Sequence, residues 1–217
     1  MKKLNFIIKC GLALLLLSFY SCESWLNVTP SDRLSEEMLF NDREGFVKAL
    51  NGVYIELNTN ELYGRNLTAG ALDVMGQYYS VASSSHAFYN YGGLVYTGND
   101  EKALFDNMWQ KCYAVIACCN TIIEKCDENK AGLSPVWRGS IKGEALALRA
   151  MLHFDMLRLF GPLTSELDKE SIPYQTNSDQ TVTPLLSGSE VVGLILDDLK
   201  NAVGLLKDTD PYFVEEE

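Results

Sequence analysis

The sequence predicts an all-α fold, a tetratricopeptide-like scaffold of packed helices joined by long irregular loops. Three observations carry that expectation. Hydrophobic periodicity is helical almost wherever it is strong, with apolar residues recurring at three and four. Start and stop signals bracket the periodic stretches, notably Ser134-Pro135 before and Gly161-Pro162 after one of them. Two long periodic stretches are separated only by the short turn 129–132, which makes an antiparallel helical hairpin. Aromatic and small residues alternate along these helices as interlocking packing requires. No clean 34-residue self-similarity accompanies them, so the likeness is one of helix stacking, without an exact repeat.

The elements follow in order. Lys2 and Lys3 precede a short apolar run, 11–17, extended by Phe19 and Tyr20. A membrane span needs about 20 apolar residues, so a cleaved export signal over residues 1–21 fits better. Cys22 follows the small residue Ser21, the core of a lipoprotein processing site. Acylation of its thiol and amine would supply the two or more chains that stable membrane anchoring requires. Phe19 and Tyr20 are bulkier than residues usual before such a cysteine, so an ordinary secretory cut near Ser21 is the alternative.

An extended lead, 23–35, precedes the first helix, for which Asn41 is the expected cap with Glu44 as capping-box partner. Phe46, Leu50, Val53, Tyr54 and Leu57 then give one buried face. A weaker helix is expected over 67–79. The polar, glycine-rich stretch 80–99 reads as a loop and carries His86, Phe88, Tyr89, Tyr91 and Tyr96. A strong helix, 100–126, has Trp109, Tyr113, Ile116, Cys119 and Ile123 on one stripe. Its partner starts at Ser134-Pro135, where proline's missing N–H costs nothing, and runs to Gly161. Residues 163–187 are irregular, with Ile172-Pro173-Tyr174 extended. Ser187 and Glu190 form a capping box for the last helix, 188–206. That helix should bury Val191, Leu194, Ile195, Leu199, Ala202 and Leu206, with at least one of Asp197 and Asp198 facing water. Residues 22–217 make one domain. From the apolar patch Pro211-Tyr212-Phe213-Val214 beside the terminus, more protein is expected to follow.

Composition excludes several functions. The chain has 29 acidic and 18 basic residues and a formal net charge of −11. Export removes Lys2, Lys3 and Lys9 and no acidic residue, so the mature chain is more negative still. Nucleic acid is therefore not the partner, since phosphate binding needs clustered cations. Cys112, Cys119 and Cys126 stand seven apart, about 10 Å between neighbours along a helix, beyond disulfide reach. Small buried core residues is the better reading, and no His or Cys spacing suits a metal. His86 and His153 are the only imidazoles, and no nucleophile elbow or phosphate-cradling loop appears. Glu144 and Arg149 do not share a helix face, whereas Asp155 and Arg158 sit at i, i+3 as a solvated pair. All four read as structural. No cofactor, no metal and no catalytic role is expected.

Five segments, in order, resemble the SusD/RagB family of nutrient-uptake outer-membrane lipoproteins. They are Cys22-Glu23-Ser24-Trp25-Leu26-Asn27-Val28-Thr29-Pro30, Ala49-Leu50-Asn51-Gly52-Val53-Tyr54, and Trp109 to Tyr113 with Ile116 to Asn120. The most specific is Gly143-Glu144-Ala145-Leu146-Ala147-Leu148-Arg149-Ala150 with His153-Phe154 and Leu159-Phe160-Gly161-Pro162. Ile172-Pro173 and Asp198-Leu199 with Ala202 complete the series. The resemblance covers the family's amino-terminal portion only. It implies a cell-surface lipoprotein that holds glycan or another nutrient for a TonB-dependent, SusC-like outer-membrane transporter. Sugar capture needs aromatic faces and polar side chains on loops held by a rigid scaffold. In this sequence Tyr89, Tyr91 and Tyr96 are the candidate platforms, with Asn90 and Asn99 as hydrogen-bonding neighbours. The competing reading is an exported helical-repeat scaffold that grips another polypeptide and takes no sugar.

Overall fold

Seven α-helices and one two-stranded ribbon make up the described residues, 36–179, 181–207 and 211, of the computed structural model. All of them but Glu36 belong to one compact unit, Glu37–Glu217. The expected signal 1–21, Cys22, the lead 23–35 and most of 208–217 lie outside the described residues.

After the single turn α1 (Glu36–Leu39), α2 (Arg43–Leu57) opens on Asp42 and not on Asn41. Asp42 is extended, and its carboxylate accepts from the Gly45 N–H at 2.8 Å, a first-turn donor with no partner inside the helix. Glu44, free of the box, pairs instead with exposed Lys48. Position 45 must be glycine, because a Cβ there would lie 1.5 Å from the Leu39 carbonyl oxygen. Phe46, Leu50, Val53 and Leu57 are buried as the periodicity predicts. Tyr54 is not, and its hydroxyl donates to Glu144 on a later helix at 3.0 Å.

The helix expected over 67–79 shrinks to α3 (Ala71–Met75). Gly64, Thr68 and Gly70 are poor helix formers, and a series of tight backbone turns between 58 and 70 takes their place. Another single turn, α4 (Tyr89–Gly92), interrupts the long loop. The hairpin follows as α5 (Asn99–Glu128) and α6 (Pro135–Phe160). Asn129 ends α5 in the left-handed conformation, φ 45°, where asparagine costs little. Ser134 caps α6 through the Trp137 N–H, and Gly161 closes it. Cys112, Cys119 and Cys126 line the buried side of α5 as free thiols. Burial pushes the Cys119 and Cys126 thiols up to about 12, so neither is a thiolate at neutral pH.

The irregular stretch contains an antiparallel ribbon, β1 (Glu170–Pro173) with β2 (Leu185–Ser187), pairing Glu170 with Ser187 and Pro173 with Leu185. The last helix, α7 (Gly188–Leu206), has the capping box on Ser187 and Glu190. It packs on α6, which also contacts α5 and α2. Val191, Ile195, Asp198 and Ala202 face inward, while Leu199 and Leu206, expected in the core, are exposed. Two features rotate the helix away from its most apolar face. Gly143 lets it approach α6 so closely that a Cβ there would sit 2.8 Å from Leu206 Cγ. Asp198 is drawn inward by a partner on α6, described below.

Candidate functional site

The loop between α3 and α5 encloses an open-sided depression of about 530 Å³, lined by Val74, Tyr79, Ser80, Ser83, His86 and Phe88 among others. Two devices hold its walls. Gln77 turns the chain out of α3 in the left-handed conformation, φ 62°. Its side-chain amide then donates to the Gly92 carbonyl at 2.9 Å and ties α3 to α4. The second device is aromatic. His86 meets Phe88, Phe88 meets Tyr91, and Tyr91 meets Tyr96 and Phe105, with centroids 5.8–6.5 Å apart. Phe105 continues the series to Phe160, Trp109, Tyr113 and finally His153. Most of these contacts are edge-on and the rest tilted, and edge-on pairs add about 0.5–1.5 kcal/mol each to simple burial. The loop is thereby fastened to the hairpin by ring contacts from end to end.

The five loop residues singled out from the sequence do not converge on one face. Tyr89 is 42% exposed and Asn90 is exposed, with its amide donating to the Glu101 carboxylate at 2.7 Å. That bond holds the Glu101 carboxyl below the usual range. Tyr91 is 2% exposed, so its ring face packs against neighbours and is closed to solvent. Tyr96 is half-buried, and Asn99 is the first residue of α5. Burial raises both tyrosine hydroxyls, Tyr91 and Tyr96. The ring that stands free at the depression is Tyr79, 58% exposed, with Tyr78 beside it in sequence. Sequence reasoning placed Tyr79 in a helix and missed it. The signal was available: Gly76-Gln77 is a natural stop, which puts two tyrosines at the head of the loop.

A second polar cluster is buried. The Arg149 guanidinium donates to both Asp198 carboxylate oxygens at 2.7 Å, and to Asn120 at 2.8 Å. Burial opposes the Arg149 charge, but Asp198 more than offsets it and the guanidinium is held more firmly protonated. Tyr174 donates to the same carboxylate at 2.5 Å and stacks on His153 at 3.9 Å. His153 accepts from the Gln175 N–H through Nε2, which leaves Nδ1 as the donor to the Arg149 carbonyl. Asn120 and Glu124 hold the following backbone, to Ser178. Each buried side-chain nitrogen and oxygen of the cluster has a hydrogen-bond partner, and the cluster fastens residues 174–178 across α5, α6 and α7. It is a structural joint. Arg149 and Asp198 lie 49 residues apart, and no local pattern links them. The Asp155–Arg158 pair is present at 2.9 Å, as the spacing predicts.

Among the described residues no group of three or more His, Cys, Asp or Glu side chains could hold a metal ion. No described helix is long and apolar enough to cross a membrane.

Residues 24–214 match the SusD-like family described as "Starch-binding associating with outer membrane". The chain is 27% identical over 199 residues to SusD-like protein P38 of Formosa agariphila, covering 84% of this chain and 34% of that protein. It is 26% identical over 166 residues to SusD-like protein P2 of the same organism, covering 74% and 30%. The chain thus spans about a third of the length of these curated relatives. Among solved structures, a SusD-like carbohydrate binding protein from Bacteroides vulgatus superposes with TM-score 0.63 at 25% identity, over 82% of this chain and 38% of that one. A SusD superfamily protein from the same organism gives TM-score 0.59 at 22% identity, over 79% and 36%, a likeness of fold.

Proposed function

This chain belongs to the SusD-like family, and on that premise we propose that it is a carbohydrate-capturing surface protein and not an enzyme. The observation that carries the reading is the depression with an exposed ring, Tyr79, at its edge, on a loop fastened to the helical hairpin. Sugar rings present C–H faces that stack on aromatic side chains, and Ser80 and Ser83 supply hydroxyls beside them. A preformed site of this kind loses little ordering entropy on binding. Tyr89, exposed on the same loop, is a second platform; Asn90, bonded to Glu101, lies next to it in sequence, with Tyr91, Tyr96 and Asn99 further along the same stretch. Export follows cleavage after residue 21, and acylated Cys22 tethers the domain 22–217 to the outer membrane. A TonB-dependent transporter of the SusC type is the partner that would receive the glycan.

Affinity electrophoresis through gels containing soluble polysaccharides tests the capture step. The wild-type chain should be retarded by at least one of them, and Tyr79→Ala should weaken that retention about five- to tenfold, the loss of one stacked ring. Unchanged retention with an unchanged circular dichroism spectrum would move the site elsewhere. For the tether, labelled palmitate should enter the wild-type chain in its native host and fail to enter Cys22→Ser.

A further inference from the structure

Among the described residues, most cations are paired with carboxylates close by. Lys48, Lys111, Lys142, Arg149, Arg158 and Lys169 each lie within ion-pair distance of one. Arg65 is an exception. It is exposed, and among the described residues no carboxylate comes within ion-pair reach of it. Its Nε donates to the Asn66 side chain at 3.2 Å, and its guanidinium carbon lies 5.8 Å from the centre of the Phe88 ring. Phe88 lines the depression, as does Ala69, four residues along the chain from Arg65. The cation therefore sits at the edge of the candidate sugar site.

Two further features of that site are electrostatic. None of its lining residues is Asp or Glu, although the chain has 29 acidic residues. His86, also in the lining, packs on the same Phe88 ring with centroids 5.8 Å apart. Its Nδ1 accepts from the Phe88 N–H at 3.1 Å, so in the neutral ring the proton is on Nε2. Phe88 is flanked by a permanent cation and by an imidazole donor, and among the described residues no carboxylate pairs with either.

Building on the capture reading, we propose that the glycan bound here carries negative charge, a uronate carboxylate or a sulfate ester, received by Arg65 with His86 as second donor. The planar guanidinium matches the two oxygens of either group, and its remaining N–H donors are not committed to an internal carboxylate. The chain's net charge of −11 repels a polyanion at long range. That repulsion is screened beyond about 8 Å at physiological ionic strength, so a local cation in a carboxylate-free hollow decides the outcome.

Titration calorimetry on the full chain with three probes tests this: oligogalacturonate, a carrageenan oligosaccharide, and carboxyl-reduced oligogalacturonate as the neutral counterpart. At least one acidic probe should bind about tenfold more tightly than the neutral one, and Arg65→Gln should remove that advantage. Arg65→Lys should keep part of it, and added salt should weaken the acidic probe alone. The stronger of the two acidic probes identifies the anion. Thermal melting of Arg65→Gln controls for folding. If a neutral glycan binds best, loses affinity in Tyr79→Ala and ignores Arg65→Gln, capture stands and the charge assignment is wrong. If Arg65→Gln lowers the melting temperature but leaves acidic binding intact, Arg65 only braces Phe88 and the proposal fails. If neither these probes nor the polysaccharide gels detect binding, both readings fall.

Discussion

Arg149→Met is expected to destabilise the fold by about 3–5 kcal/mol, read from the urea midpoint at constant slope. The substitution is similar in length and adds no bulk, so packing is not the cause. It leaves the Asp198 carboxylate inside the protein without the two 2.7 Å donors that neutralise it. The Asn120 side-chain oxygen loses its donor at the same time, and the Thr176 carbonyl loses a weaker one. Burying an unpaired charge costs far more than a buried pair is worth, and that asymmetry makes a sharp test. Arg149→Met combined with Asp198→Leu should therefore recover a large part of the loss, since the second change removes the stranded carboxylate. Recovery will be incomplete, because Tyr174 also donates to Asp198 at 2.5 Å and would keep only the longer contact to the Leu194 carbonyl at 3.4 Å. A single substitution costing under about 1 kcal/mol would mean that water reaches the cluster, contrary to the burial of both side chains.

Acid should destabilise the protein through His153 before general carboxylate protonation sets in. Burial is the first cause that lowers its pKa, from 6.5 to about 4, and the adjacent Arg149 charge acts in the same direction. The Arg149 carbonyl and Asp198 pull the other way without reversing the shift. The sign follows from proton counting. Between pH 6.5 and 4 the unfolded chain takes up a proton that the folded chain does not, so stability falls as pH falls. Above pH 6.5 the contribution is fully present. The loss by pH 4 amounts to about 3 kcal/mol for a shift of this size. Protonation also gives Nε2 a hydrogen that faces the Gln175 N–H, so residues 174–178 should loosen first. His153→Gln removes the titrating group. Unfolding midpoints of wild type and variant should diverge in pH dependence between 6.5 and 4 and run parallel above. Parallel curves throughout would place the imidazole in contact with solvent.

Much of the scaffold was legible because its boundary signals are local. Ser134-Pro135 and Gly161-Pro162 each act within a few residues, and the Ser187–Glu190 box closes on itself. Cysteines seven apart mark a buried stripe for the same reason. The rotation of α7 was not legible. Its apolar residues outnumber the positions that α6 can cover, and the side that faces inward is chosen by Arg149, distant in sequence, and by the absence of a Cβ at Gly143. The cap of α2 moved by one residue because asparagine and aspartate, adjacent at 41 and 42, are both good caps. The loop was the least legible part. Tyr89 and Tyr91 look alike in sequence, yet a single helical turn sends one outward and the other into a ring cluster. Tyr79 escaped notice because a helix was expected to include it, although Gly76-Gln77 ends that helix before the tyrosine.

Amide hydrogen exchange with and without a retained polysaccharide tests the location of the site directly. Residues 76–93, which form the walls of the depression, should exchange more slowly in the presence of the sugar, and residues 188–206 should not change. Protection confined to α7, or spread evenly over the helices, would contradict a sugar seated on the loop.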